Sequence, residues 1–259
     1  MKATRNTSLP AALFATLCMI ALPAGAIDQI DTDGPDFVES SEVVPKGRFQ
    51  YEIDLTSVRN HGSAQPNTTQ STPTLLKYGA TDNIELRLAP EGYVRQDGRS
   101  GIGETAFGIK WHSQDRDQSR GKAAVSWILH VDTPSGSEQF KRNGLRPGLR
   151  SVITWDLPSD LALGVMPGLK YDTREDGQRF RSAILGAVLN KRFDERVRVF
   201  VEFSAVQIAH ASDGGVLASW DAGIAYLVNN DFQLGLRAGV AVNRNSPNSH
   251  VLFEVAQRF

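Results

Sequence analysis

His210 and Ser212, in the segment "AHASDGG", have the spacing of a hydrolytic pair. A serine nucleophile needs a histidine base within hydrogen-bond reach and a third group that orients the histidine. An asparagine on the following strand could supply that group, but the next asparagine, Asn229, lies at the far end of that predicted strand. We therefore interpret His210 and Ser212 as loop residues and predict no catalytic residues.

Metal and cofactor chemistry is equally unsupported. Asp31, Asp33 and Glu42 match the spacing of an EF-hand calcium loop, but Pro35 and Asp36 occupy the positions that need a ligand and a glycine. The glycines lie in predicted strands and turns rather than in a phosphate-binding loop. We therefore predict no metal and no cofactor. The remaining histidines are scattered without ligand spacing: His61, His112, His130 and His250.

The elements that would position reactive side chains are strands. From Gly47 onward apolar and polar residues alternate with period two, as in "RFQYEIDL", "VRVFVEFSA" and "FQLGLRAGV". Short turns of Asp, Asn and Ser recur before the strands, and the last three strand starts are about 36 residues apart. Longer polar stretches such as "EGYVRQDGRSG" separate them and predict loops. The turns precede Ile84, Leu161, Val197 and Phe232.

These strands predict an all-β fold, an antiparallel transmembrane β-barrel of about 12 strands. An even strand count, short turns at one end and long loops at the other are typical of outer-membrane barrels. A soluble periplasmic β-sandwich is the alternative, since it would also alternate but would bury its apolar faces between two sheets. Aromatic residues beside the short turns favour the barrel, because such rings form a girdle at the membrane interface. They are Tyr78, Trp111, Trp155, Phe193, Tyr226, Phe232 and Phe259.

The first 26 residues predict a secretory signal peptide, with a basic start, a short apolar stretch and a small-residue cleavage site at Ala24-Gly25-Ala26. The only cysteine, Cys18, lies in this leader. A net charge of −1 and a pI near 6.5 argue against a nucleic-acid partner. We therefore predict a leader over 1–26, an acidic segment over 27–46, and a barrel over 47–259 in the outer membrane of a Gram-negative cell.

Charged residues of both signs fall on the polar face of the predicted strands and would face the lumen. They would either pair across strands as a rigid ladder or line a constriction that selects solutes. We predict the following selectivity residues: Glu52, Glu85, Arg87, Lys110, Arg198, Glu202 and Arg237. Asp54, Glu104, Arg150, Lys170, Asp221 and Glu254 share the face.

The segment before the barrel is acidic, and Lys46 is its one base. Such a composition cannot bury a core and favours a solvated periplasmic tail. The alternative is a plug or tether folded into the lumen, where opposite charges attract, meeting Arg87, Arg198 or Arg237. The acidic residues of that plug would be Asp31, Asp33, Asp36 and Glu39.

The segment "DTDGPDFVESSEVVPKGRFQYEIDL" resembles the opening of the barrel family named for the MetA-pathway of phenol degradation. Members begin with an Asp-rich T-D-x-P-D-F-x-E-S phrase, then a V-P-x-G and the first strand. The phrases "LLKYGATDNIELRL", "GIGETAFGIKW", "VDTPSGS" and "LVNNDFQLGLRAGV" are also similar to the family's. Residues that occupy the opening pattern are Thr32, Asp33, Pro35, Asp36, Phe37, Glu39, Ser40, Val44, Pro45 and Gly47.

The resemblance implies an outer-membrane transporter, for aromatic or other small hydrophobic compounds. Together with the barrel prediction it leads us to expect a passive, porin-like channel rather than an enzyme. The expected partners are outer-membrane lipid, a small-molecule solute, and the barrel assembly machinery, which would bind the last strand ending in Phe259. Two alternatives stay open: a structural barrel that binds a partner through its long loops, and a lipid-acting barrel enzyme using His210 and Ser212.

Overall fold

The computed structural model describes residues 29–60, 67–174 and 176–259. The predicted signal peptide lies outside the described residues. Strand follows strand along the chain, because apolar and polar residues alternate throughout. Within the described ranges, no helix is both long and apolar enough to cross a membrane. The strands are β1 (Phe49–Asn60), β2 (Asn67–Ser71), β3 (Thr74–Gly79), β4 (Ile84–Pro90), β5 (Tyr93–Gln96), β6 (Arg99–Ile102), β7 (Thr105–Gln114), β8 (Ala124–Thr133), β9 (Arg146–Leu157), β10 (Leu161–Thr173), β11 (Arg179–Arg192), β12 (Val197–Ile208), β13 (Val216–Asn229), β14 (Phe232–Ala241) and β15 (Ser249–Arg258).

These segments form one closed antiparallel barrel. The last strand pairs with the first, from Gln50 opposite Arg258 to Arg59 opposite Ser249. Three barrel strands are interrupted, because β2 continues into β3, β4 into β5, and β6 into β7 across breaks of two residues. Counted in this way the barrel has 12 strands. The predicted fold class is therefore confirmed.

The two ends of the barrel differ as the sequence predicts, with one exception at each end. One end has a long connection among its short turns, and the other has the tight turn Asp97-Gly98 among its long loops. Turns 80–83, 158–160, 193–196 and 230–231 are short, whereas the connection 115–123 at the same end is longer and contains a 3₁₀ turn. Connections 134–145, 209–215 and 242–248 are at the opposite end. By the convention of such barrels the short turns mark the periplasmic end.

The stretch "EGYVRQDGRSG" is not the long loop that its polarity predicts. It forms β5 and β6, a hairpin that extends the barrel wall beyond the membrane. The turn is Asp97-Gly98, with φ of 53° and 75°. Two successive residues with positive φ form the turn that suits a two-residue hairpin, and Asp-Gly is a preferred pair for it. The loop prediction is therefore wrong at this end of the barrel.

The apolar face of each strand points outward. Leu129 is 52% exposed, Val201 55% and Leu236 46%. No second sheet covers these side chains in the described part of the chain, which excludes the sandwich. A continuous belt of exposed apolar side chains is expected where a barrel contacts lipid. Tyr78, Trp111, Phe193, Tyr226 and Phe259 of the predicted girdle are exposed at the rim with the short turns.

Candidate functional site: the lumen and its N-terminal segment

Residues 30–44, which we call the lumen segment, lie inside the barrel. The segment enters from the periplasmic end, where the backbone N–H of Ile30 donates to Asn230 O at 2.7 Å in the β13–β14 turn. It returns to the same end, where Lys46 pairs with Gly79 beside the β3–β4 turn. The lumen segment is therefore a loop with both ends on the periplasmic side.

Apolar packing holds the middle of this loop. Val38, which is 3% exposed, forms one cluster with five lumen-facing side chains, and Phe37 packs against it. Gly186 leaves room for Val38, because a Cβ there would lie 2.5 Å from Val38 Cγ2. A Cβ at Gly164 would lie 2.9 Å from Val188 and 3.1 Å from Val38. The lumen therefore contains a small hydrophobic core of the kind found in soluble proteins. The five side chains are Ile128, Val152, Met166, Val188 and Phe200.

The carboxylate of Asp33 lies at the centre of a cluster of cations. Its Oδ1 is 2.7 Å from Lys110 Nζ, and its Oδ2 is 3.1 Å from Lys77 Nζ and 3.0 Å from Arg87 Nη1. Glu52 neutralises part of this charge, since it lies 2.5 Å from Lys77 Nζ and accepts the backbone N–H of Asp33 at 3.1 Å. Burial alone would raise the pKa of Asp33, but the three cations lower it well below its usual value.

Two further acidic residues of the segment bind arginines of the barrel wall. Arg198 holds Asp36 with both of its terminal nitrogens, at 2.9 and 3.0 Å. Glu39 lies 2.7 Å from Arg87 and 2.7 Å from Arg150. Burial opposes ionisation of Glu39, yet Arg150 and Arg87 together lower its pKa. Bidentate and bridging pairs of this kind are the strong form of a charged hydrogen bond.

Acidic side chains on the same strands as these cations bind the backbone of the segment. Glu202 accepts the N–H groups of Phe37 at 2.8 Å and Val38 at 2.7 Å, and Glu85 accepts the N–H of Val44 at 2.9 Å. The segment therefore presents carboxylates to the cationic side chains and backbone donors to the anionic ones. This arrangement satisfies buried charges of both signs.

Two cavities flank the segment. One of about 940 Å³ includes Arg87, Arg142 and Lys170 in its lining and opens among the extracellular loops. The other, of about 500 Å³, lies among the periplasmic ends of the strands and includes Arg116 in its lining. Asp36 and Glu39 line both. The lumen segment therefore forms the boundary between them.

The structure places all the predicted selectivity residues in the lumen, but they divide by what they contact. Glu52, Glu85, Arg87, Lys110, Arg198 and Glu202 all bind the lumen segment directly. Arg237 instead lies 3.7 Å from Glu202, and among the described residues no hydrogen bond or ion pair joins it to the segment. Of the predicted plug residues, Asp31 is exposed, and its carbonyl accepts a hydrogen bond from Gln50 Nε2 at 2.9 Å.

The candidate hydrolytic pair lies far from this network. His210 and Ser212 are exposed beside the 3₁₀ turn Ala211–Asp213 at the extracellular end. Asn229 is at the opposite, periplasmic end of β13. Among the described residues, no three His, Cys, Asp or Glu side chains are grouped as metal ligands would be.

The apolar lumen residues that pack against Val38 were not predicted from the sequence. Ile128 stands in "AAVSWILHV" on the same face as Ser126 and His130, and Phe200 stands in "VRVFVEFSA" on the same face as Arg198 and Glu202. A large apolar residue on the polar face of a barrel strand is the signal that something apolar fills the lumen.

A closed antiparallel barrel with an apolar outer belt and a charged lumen defines an outer-membrane β-barrel protein. The chain belongs to the family described as "Putative MetA-pathway of phenol degradation", whose model matches residues 32–259. The family resemblance seen in the opening phrase is thereby confirmed. No curated protein matches the chain.

Solved structures of similar fold are porins. The NanC porin is 12% identical with a TM-score of 0.51, and the alignment covers 79% of this chain and 97% of that chain. The KdgM porin in complex with disordered oligogalacturonate is 11% identical with a TM-score of 0.50, covering 80% of this chain and 98% of that one. At these identities the likeness shows the fold alone.

Proposed function

We propose that the protein is a passive channel through which small solutes, including aromatic and hydrophobic compounds, cross the outer membrane. The observation that carries the proposal is the pair of lumen cavities, which open toward opposite ends of the barrel with the lumen segment between them. The porin fold and the family's link to phenol degradation support the same function. The segment acts as the plug of this channel.

A plug must be removable, and the path of the segment allows this. Because both ends leave the lumen on the periplasmic side, the loop can withdraw without threading through the barrel. Its contacts are side-chain ion pairs, single N–H donors and two apolar clusters, rather than a continuous strand ladder with the wall. Such contacts can be broken locally while the barrel stays intact.

The proposal favours transport over hydrolysis. A hydrolase needs its nucleophile, base and orienting group together, whereas His210 and Asn229 are at opposite ends of the barrel. Arg87 and Glu202, in contrast, both bind the lumen segment between the cavities, where a constriction would act on a passing solute.

Solute entry into liposomes tests the function. The full chain and a variant lacking residues 30–44 would be refolded into vesicles, and entry of small sugars, phenol and substituted phenols would be compared with that into protein-free vesicles. We expect low entry through the full chain and high entry, with a size limit, through the variant. Resistance to unfolding in dodecyl sulfate would confirm that each barrel is folded. Folded barrels that admit no solute in either form would refute the channel.

A further inference from the structure

The three cations around Asp33 form an anion site that this chain fills with its own carboxylate. Lys77, Arg87 and Lys110 each place a nitrogen within 3.1 Å of one carboxylate, and all three are at most 9% exposed. A buried cation that loses its partner is strongly destabilised. When the lumen segment undocks, Lys77 keeps Glu52 and Arg87 keeps Glu85 as partners in the wall. Lys110 loses its one ion-pair partner among the described residues, so the open site lacks one anion.

Solute can reach this site from outside. Asp33 and Arg87 are part of the lining of the extracellular cavity of about 940 Å³. Apolar side chains, among them Phe37, Leu75 and Leu252, line the same cavity. A molecule that carries one carboxylate on an apolar body would thus find both of its parts matched there.

Asp33 also holds the segment closed. Its Oδ1 accepts the backbone N–H of Ser40 at 3.1 Å, so one carboxylate both fills the cation site and braces the bend of the loop. An anion that displaced this carboxylate would remove the three ion pairs and release the brace. Because two anions cannot occupy the same place, binding of one excludes docking of the other.

We propose that Lys77, Arg87 and Lys110 are a binding site for the carboxylate of small, largely apolar organic acids, which compete with Asp33 and so open the channel. The proposal rests on the proposed function and adds to it a substrate class, the monocarboxylates, and a means by which that substrate displaces the plug. Neutral phenols of the same size would cross only when the segment is already undocked.

The first test is chemical rescue in the full chain. Asp33→Ala leaves the cation site without its carboxylate, so the variant should unfold at a lower temperature, and formate should restore most of the loss. Chloride at equal ionic strength and formamide should restore little. Asp36→Ala is the matched control, because its partner is Arg198 rather than a cluster of cations. The proposed site would be overturned if formate stabilised both variants equally, or if formamide stabilised Asp33→Ala as well as formate does.

The second test does not depend on the folding of Asp33→Ala. Ser41 is 1% exposed and its hydroxyl has no hydrogen-bond partner, so Ser41→Cys, with Cys18→Ser, is a mild reporter of undocking. Benzoate should cause a several-fold, saturable rise in maleimide labelling of this cysteine, whereas benzamide should not. Adding Lys110→Gln should abolish the benzoate dependence. A cysteine at the exposed Ser212 should be labelled at the same rate with or without benzoate.

The outcomes separate the two proposals. Benzoate without effect on labelling, or an equal effect of benzamide, would overturn competition for the site. Rescue and benzoate-dependent labelling without solute entry would leave the carboxylate site standing and refute the channel. Solute entry without either would leave the channel standing and refute the carboxylate site.

Discussion

Replacing Val38 with alanine should undock the lumen segment. The side chain is 3% exposed and packs against Ile128, Val152 and Phe200, among others. Two methyl groups are removed, at about 0.8 kcal/mol each for the lost burial, and the cavity left behind adds to this. A total of about 2–3 kcal/mol corresponds to an increase of about 30- to 150-fold in the undocked population.

Maleimide labelling of the Ser41→Cys reporter measures this population, because labelling needs the segment to leave the lumen. The rate should rise by nearly the full factor if docking is fast relative to labelling. Val201→Ala is the matched control: it removes the same atoms from a β12 side chain that is 55% exposed and faces lipid, so labelling should not change. An unchanged rate for Val38→Ala, or an equal rise in the control, would refute the apolar anchor.

Three other predictions concern the wall, the pH response and assembly. Leu76→Arg, on the lipid face, should cost about 1–3 kcal/mol and reduce the amount of folded barrel in vesicles. Leu75→Arg, in the lumen beside Glu52, should be tolerated, and equal losses would contradict the assigned facing. The pKa values of Asp33 and Glu39 are lowered in the folded protein. These carboxylates therefore stabilise docking above a pH of about 4, which is their pKa in the unfolded chain, and this stabilisation is lost as the pH falls through their lowered pKa values. The labelling rate of the Ser41→Cys reporter, divided by that of an exposed Ser212→Cys reporter at the same pH because the thiolate is the nucleophile, should therefore rise only in acid below about pH 4; a rise near pH 6 would contradict this sign. Phe259→Ala removes ring contacts with Phe49 at 6.4 Å and Tyr51 at 5.9 Å. It should lower the yield in cellular outer membranes more than refolding into detergent, and equal losses would count against recognition of the last strand by the assembly machinery.

The barrel was predictable because its signal is repeated. A single strand such as "VRVFVEFSA" could belong to a sandwich, but the same alternation in most of the strands leaves one consistent outer face, to which Leu129 and Val201 belong. The inward direction of Arg87 and Glu202 follows from the same period. Which of these charges meet each other was not predictable, because pairing depends on strands distant in sequence.

The docking of the lumen segment inside the barrel was harder to predict, because the composition of the segment indicates a solvated tail. Acidic residues without bases are typical of a solvated tail, and only the cations of the wall make burial of Asp33 and Glu39 favourable. The hairpin over Tyr93–Ile102 was missed for a related reason. Polar residues form this stretch because both of its faces are outside the membrane, so period-two hydrophobicity is weak there, although the Asp97-Gly98 pair was a usable turn signal.

The long reach of the lumen segment imposes an order on folding. The N–H groups of Phe37 and Val38 bind Glu202, which is 165 and 164 residues further along the chain. Ile30 likewise packs against Leu227 and Ala256, which are synthesised much later. Part of the site of the first described residues is therefore missing until β12 and β15 have been made, so a part of the chain that is made early completes its contacts late. A pulse of maleimide during refolding of the Ser41→Cys reporter should label chains whose segment has not yet docked.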